Sequence, residues 1–401
     1  MAPHLGSGPR GFRHGRRFWR LGVPPRARRN RRATQTVTPA PLNLAPLELA
    51  GRLDRLRPLI DQASCSALLV TNLTNIRYLT GFTGSAGVLW VEEKEAWLIT
   101  DGRYRSQAAA EVAATDTQSE ITSDGGKEKL TELAKNQTTI GLEANNVTWA
   151  DQQNYVNWFA PTAVTPTSGL VEELRSIKDP GEIDRIENAG HLADQALAAV
   201  TGLITPGTTE KEIAQTLEKE MMVRGADGTA FTTLVASGPN SARPHAQPTD
   251  RQLEEGDLVI CDFGAQIDGY RSDMTRSFRV GGTGQGPKAD LLQAVLQAQQ
   301  AGLNAVANGV PLKDIDAACR NSLQKSGLGD AFIHGTGHGV GLDIHEAPAV
   351  SSRSTDNLRT GQVITVEPGA YLEELGGVRW EDTLVVTDTG HRALTKAPKT
   401  L

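Results

Sequence analysis

Four acids occupy matched positions in the second half of the chain. LEEGDLVICDFG (253–264) aligns with LRTGQVITVEPG (358–369) at an offset of 105, placing Asp262 on Glu367. GYRSDMT (269–275) aligns with GVRWEDT (377–383) at an offset of 108, placing Asp273 on Glu381. Upstream, Lys211, Ile213 and Gly225 match Lys313, Ile315 and Gly327 at an offset of 102. Three blocks in one order read as an internal repeat. Asp262 follows LVIC and Glu367 follows VITV, both runs of buried type. Strands favour apolar residues at such positions, so acids kept there call for a reason. Buried carboxylates need charge partners or must take up protons. No run of Lys or Arg supplies four positive charges, whereas divalent metal ions would. The plainer alternative is four solvent-facing acids.

Each half reads as a helix followed by strand, turn and strand, with one acid on each strand. In the first half Asp268–Gly269 suits a type I′ turn. That turn pairs residue 264 with 273 and 262 with 275. Side chains alternate along a strand, so Asp262 and Asp273 share a face unless a bulge shifts the register. Two such hairpins about a pseudo-twofold would gather all four carboxylates.

Four of the eight histidines lie between 245 and 345. His334 and His338 sit in HGTGHGVGLDIHE, where Gly335, Gly337 and Gly339 disfavour a helix and suggest a strand with close backbone approach. The following HEAPA (345–349) is not an HExxH zinc motif. A single His is by default a satisfied core or surface residue; clustered with these carboxylates, one ligand and one or two catalytic His are expected. GGTGQGPKA (281–289) approaches a phosphate-binding loop, but Pro287 separates Gly286 from Lys288 and Ala289 replaces the Ser or Thr.

The elements that must position these residues form two domains. An α/β unit begins near residue 48, with helical spacing over 49–60 and strands at 66–71, 88–100 (two strands) and 139–142. A short helix is expected at 150–158, and Asp101 is placed to cap a helix from about 103. Residues 161–170 (PTAVTPTSGL) read as a linker, which divides the chain into 48–168 and 169–401. The second domain has helices at 179–200, capped by Asp179 and Pro180, and at 209–224, 288–308 and 312–326. Its strands are expected at 257–263, 270–280, 362–367 and 378–387.

Composition narrows the classes. The chain has 401 residues, of which 38 % are hydrophobic and 22 % charged, so it is globular and long enough for two to three domains. No apolar run approaches the ~20 residues of a membrane span. Cys65, Cys261 and Cys319 are far apart without a CxxC, which fits a reducing compartment. The net charge of −6 is uneven: the first 47 residues hold ten of the 41 basic side chains and none of the 47 acids. The acidic remainder argues against a nucleic-acid enzyme. Residues 1–47 are expected to be a disordered, Arg-rich extension. Read as a transit peptide it would direct the chain to an organelle; read as a tail it leaves a cytoplasmic protein. A nucleic-acid arm is the weaker option.

FTTLVASGPNSARPHA, DFGAQIDGYRSDMTR, HGTGHGVGLDIHE, TVEPG and GVRWEDT together resemble the pita-bread metallopeptidase family of aminopeptidase P, prolidase, methionine aminopeptidase and creatinase. NIRYLTGFTGS (75–85) and TDGRY (100–104) are similar to the N-terminal domain of the creatinase/aminopeptidase P/prolidase branch. The resemblance implies an α/β (α+β) chain with a small creatinase-like domain before a pita-bread catalytic domain of pseudo-twofold symmetry. It implies two divalent ions per subunit, manganese foremost, with cobalt or zinc as alternatives. Asp262 would chelate one ion, Asp273 and Glu381 would bridge the two, and His338 and Glu367 would complete the other site. Two ions about 3.5–4 Å apart can share a hydroxide and make it nucleophilic at neutral pH. Glu367 would be the general base, His245 and His345 would position substrate, and Arg379 matches the family arginine beside the second bridging acid. With no ligand missing, creatinase and the catalytically inactive histone-chaperone relatives fit less well. The expected activity is cleavage after the first residue of Xaa-Pro-peptides, and prolidase action on Xaa-Pro dipeptides is the alternative. A catalytically inactive peptide-binding or chaperone module is the reading from a different class. A homo-oligomer, commonly a dimer, is implied, with no nucleic-acid or membrane partner.

Overall fold

A computed structural model describes residues 42–282 and 284–399. The N-terminal layer runs α1 (Arg52–Gln62), β1 (Ala67–Val70), α2 (Leu73–Thr80), β2 (Val88–Glu92), β3 (Ala96–Asp101), α3 (Arg105–Glu111), β4 (Gln118–Thr122), α4 (Lys127–Ala134), β5 (Thr139–Glu143), α5 (Trp149–Phe159), β6 (Ala163–Thr167) and α6 (Leu170–Ser176). Its strands form one mixed sheet in the order β4-β3-β2-β1-β5-β6. Leu68, Leu69, Val70, Leu89, Trp90 and Val91 are almost wholly buried, because helices cover both faces of the central strands.

The stretch expected as a linker, 161–170, is instead β6 and the start of α6. Residues 163–167 pair in parallel with β5, from Thr139↔Ala163 to Glu143↔Thr167. Pro166 fits there because an edge strand tolerates a missing N–H. Most of the Arg-rich segment, residues 1–41, lies outside the described residues. Its last six residues are described, and Ala45 is tied to the helix Pro180–Val200: Ala45 N donates to Asp184 at 2.8 Å, and Arg185 Nη1 donates to Ala45 O at 2.7 Å.

The C-terminal layer continues with α7 (Pro180–Val200), α8 (Glu210–Val223), β7 (Gly228–Thr229), β8 (Leu234–Ser237), β9 (Leu258–Phe263), β10 (Ala265–Ile267), β11 (Tyr270–Arg271) and β12 (Met274–Arg279). It then repeats the plan in α9 (Pro287–Ala305), α10 (Leu312–Lys325), β13 (Gly337–Gly339), β14 (Glu346–Val350), β15 (Val363–Val366), β16 (Gly369–Leu372), β17 (Gly376–Arg379), β18 (Asp382–Thr387) and β19 (Gly390–Ala393). α7 starts on a full capping box, with Asp179 and Glu182 each bonding the other's backbone N–H and Pro180 in the first turn. α8 and α10 have the same length and stand 102 residues apart, the offset of the sequence repeat. The sheets are β12-β9-β8, β11-β10-β7, β14-β13-β15-β18-β19 and the pair β16-β17.

The first hairpin has the register read from its turn, with Thr275 opposite Asp262 and Tyr270 opposite Ile267. Asp268 and Gly269 both have positive φ, 45° and 77°, as a type I′ turn requires. The expected strand 270–280 is broken at Ser272 and Asp273, and 378–387 is broken at Trp380 and Glu381. At each break one acid's backbone is taken by the other hairpin, with Asp273 O accepting from Thr383 Oγ1. Glu381 N donates to Thr275 O at 3.2 Å and Glu367 N to Thr336 O at 2.7 Å, so the ladder stops where other segments take its hydrogen bonds. Close approach on the first hairpin depends on Gly264, where a Cβ would sit 1.9 Å from Ser272 O.

Candidate metal centre

Asp262 is the penultimate residue of the buried strand β9, and Asp273 lies two residues before Thr275, the cross-strand partner of Asp262, so both acids face one side. In the second hairpin the register is the same before and after the gap, Val366↔Asp382 and Gly369↔Arg379, which sets Glu367 opposite Glu381. That hairpin turns through residues 373–375 rather than two residues, and β17 is two residues longer than β11, which together absorb the rise in offset from 105 to 108. His338 is the middle residue of β13, packed against β15. Its flanking glycines are required: a Cβ on Gly337 would lie 2.1 Å from Thr365 O, and one on Gly339 2.2 Å from Ala347 O.

These elements bring every candidate residue to one cavity of about 280 Å³, lined by His245, Asp262, Asp273, His338, His345, Glu367, Arg379 and Glu381. Ligand atoms of Asp273, His338 and Glu381 lie within 4.8 Å of one another. His338 Nε2 is 3.4 Å from Glu367 and 3.5 Å from Asp273. Asp262 stands off this trio, and its Oδ2 accepts from Arg379 Nη2 at 2.6 Å.

The side chains fit a cation. Among the described residues, Asp262 Oδ1 and Glu381 Oε1 are buried oxygens without a hydrogen-bond partner. Burial, together with the charges of Glu381, Asp262 and Glu367, pushes the Asp273 carboxyl far above its usual range. Burial and then the Glu367 and Asp262 charges do the same to Glu381. Burial raises Glu367 to about 8 against the pull of Arg379. His338 Nδ1 faces the carbonyl of Gly339 at 3.0 Å, and a carbonyl only accepts, so Nδ1 carries the proton. Burial lowers the His338 pKa, which favours the neutral ring. Its Nε2 lone pair then points at carboxylates, an arrangement that repels unless a cation stands between.

Hydroxyls from both hairpins brace the acids. Thr275 Oγ1 donates to Glu381 at 2.7 Å and accepts from Arg379 Nε at 3.1 Å. Thr383, its counterpart in the repeat, donates to Asp273 O at 2.8 Å. The two threonines already coincide in GYRSDMT and GVRWEDT, so the repeat held this signal. Tyr371 carried none. Its hydroxyl lies 2.8 Å from Arg379 Nη1 and 3.0 Å from His334 Nε2. Burial lowers His334 to about 4. His334 and His338 both line the cavity, although the strand expected to carry both covers only His338. Phe231, Leu234, Pro244 and Ile344 form an apolar wall that sequence reasoning did not find. His245 and His345 are exposed at the rim, and the His345 ring centroid is 4.4 Å from that of His338.

Residues 184–388 match metallopeptidase family M24, and residues 52–177 match the Creatinase/Prolidase N-terminal domain. The chain belongs to metallopeptidase family M24, with a creatinase-type domain ahead of the M24 domain. It is 39 % identical to "Uncharacterized peptidase YqhT" of Bacillus subtilis (strain 168), across 87 % of this chain and 99 % of that protein. The structure of the Xaa-Pro dipeptidase from Bacillus anthracis matches with a TM-score of 0.84 at 37 % identity, over 87 % of this chain and 98 % of that one. The X-Pro aminopeptidase from Thermotoga maritima MSB8 matches at 0.78 and 34 % identity, over the same shares. Among the described residues no helix is long and apolar enough to cross a membrane.

Proposed function

We propose that the protein is a metal-dependent Xaa-Pro peptidase that releases the first residue from peptides with proline second. The observation that carries this is the set of three buried acids, the half-buried Glu367 and one imidazole on a single cavity beside an apolar wall. Relatives named as an Xaa-Pro dipeptidase and an X-Pro aminopeptidase support the substrate class.

Asp262, Asp273, His338, Glu367 and Glu381 would hold two divalent ions. Their oxygen-rich donor set with one imidazole suits manganese, with cobalt or zinc as alternatives. Bound there, the ions would polarise the scissile carbonyl and make water acidic near neutral pH. Glu367 takes the proton of the attacking water and passes it to the proline nitrogen as the C–N bond breaks and the new C–O bond forms. His245 and His345 orient the peptide at the rim and donate to the oxygen that gains negative charge. Arg379 fixes Asp262 and Tyr371. Phe231, Leu234, Pro244 and Ile344 receive the proline ring.

Action on longer peptides is favoured by one feature. Among the described residues lining the cavity Arg379 is the one Lys or Arg, and its nitrogens are engaged by Asp262, Tyr371 and Thr275. No free cation among those lining residues would hold the carboxylate of an Xaa-Pro dipeptide. The dipeptidase reading has the Bacillus anthracis relative in its favour. Manganese-loaded protein given Ala-Pro-Ala and Ala-Pro in parallel, with products identified by mass spectrometry, decides between them. Release of Ala from the tripeptide supports the aminopeptidase; cleavage of the dipeptide alone makes it a prolidase; cleavage of neither overturns both.

A further inference from the structure

Glu346, the residue after His345, is gripped from two sides although it belongs to no metal motif. Arg175 Nη2 lies 2.6 Å from its Oε2 and Lys178 Nζ lies 2.6 Å from its Oε1. All three side chains are buried, at 3 %, 1 % and 6 % exposure for Arg175, Lys178 and Glu346. Arg175 also reaches Asp343 at 2.8 Å and donates through Nη1 to Asn75 Oδ1 at 2.8 Å. Asn75 in turn donates to Glu143 and Glu172, and Thr74 Oγ1 donates to Asp343 at 3.3 Å. Two cations from the end of α6 and the residues after it thus meet two anions of the turn carrying His345. α2 of the N-terminal layer buttresses them.

The turn is shaped around this carboxylate. Asp343 N approaches Glu346 Oε2 at 3.4 Å, and Gly341 N donates to Asp343 O at 3.1 Å. A Cβ on Gly341 would stand 2.5 Å from Glu346 Oε1, so the glycine leaves the carboxylate its place. A buried ion cluster is a poor source of net stability, since well-packed apolar side chains of similar volume often do as well or better. Its advantage is orientation. Carboxylate, guanidinium and ammonium hold one arrangement where apolar contacts would allow several.

We propose that Arg175 and Lys178 are positioning residues for His345: by clamping Glu346 they fix the 341–346 turn and hold the His345 imidazole over the cavity. This rests on the reading of His345 as a substrate-orienting residue. Through Asn75 and Thr74, the N-terminal layer becomes part of the catalytic apparatus without touching substrate.

The probe is the charge-balanced double variant K178M/E346Q, which removes one buried cation and one buried anion together. Two readouts are taken beside wild type. The first is the imidazole 15N–1H spectrum of the metal-stripped protein, with His345 assigned through H345A. The second is kcat and KM on Ala-Pro-Ala, with bound manganese measured. The expected result is a displaced His345 signal and a kcat lower by about tenfold to 100-fold, with KM and metal content little changed. An unmoved His345 signal, or an unchanged kcat, with only the melting temperature lowered would reduce the cluster to a structural tie and overturn the proposal. E346Q alone serves as the second variant if the double does not fold. Should wild type cleave neither peptide, the proposed function fails, while the ring signal still decides whether the cluster holds His345.

Discussion

Arg379 joins the two halves of the repeat at their acids: its Nη2 stands 2.6 Å from Asp262 although 117 residues separate them. The guanidinium comes from the second hairpin and the carboxylate from the first. Its Nε also bonds Thr275, which bonds Glu381. One cation thus links acids from both hairpins, yet cannot neutralise four of them.

That imbalance makes the metal-free protein sensitive to pH. The folded-state pKa of Glu367 is about 8, above its ordinary 4.5. A group raised by folding stabilises fully below its unfolded value, and that stability is lost as pH rises through the folded value. Asp273 and Glu381 act in the same direction. The melting temperature of chelator-treated protein should therefore fall from about pH 5 to about pH 8. Added manganese should restore it most at the upper end. A flat profile under chelation would show that these carboxyls do not repel as described.

Thr275→Val should keep the fold and weaken metal binding. It deletes the hydroxyl that donates to Glu381 and accepts from Arg379. Loss of such a supporting contact weakens metal affinity by about 10–100-fold. Competition with a fluorescent chelator measures the change directly.

His338 and His345 should separate cleanly. His338→Ala is expected to lose bound metal and activity together. His345→Ala should retain metal and lose about 100-fold in rate, because an orienting donor is gone. A metal-free His345→Ala protein would instead make His345 a ligand.

Arg52→Met tests the seam between the layers. Arg52 is 1 % exposed, with Asp179 at 2.5 Å and Glu182 at 3.3 Å, and it donates to Tyr78 O at 2.6 Å. Removing one partner of a buried ion pair costs about 3–5 kcal/mol. Urea unfolding should show that loss, while activity per folded molecule stays near wild type.

Much of this was legible in the sequence because the repeat placed acids where strands want apolar residues. The Asp268–Gly269 turn gave a register that the structure reproduces through Thr275 opposite Asp262. What escaped was set by long-range contacts. Residues 161–170 read as a linker, since nothing local reveals that residues 163–167 have β5 as a neighbour. The strand breaks at Asp273 and Glu381 depend on partners beyond each hairpin's own ladder, such as Thr275 O for Glu381 N. Tyr371 and the apolar wall have no spacing that marks them, and Glu346 looked like a failed HExxH until Arg175 and Lys178 came beside it.

The centre lies on the seam of a duplication, and that has a practical reach. A chain opened between β12 and α9 gives one piece with Asp262 and Asp273 and another with His338, Glu367 and Glu381. Neither piece holds the full donor set, and each hairpin leaves backbone or side-chain groups that only the other satisfies. Turnover of a chromogenic proline peptide would then mark where two fragments meet, as in a complementation reporter whose signal is absent until its halves are reunited.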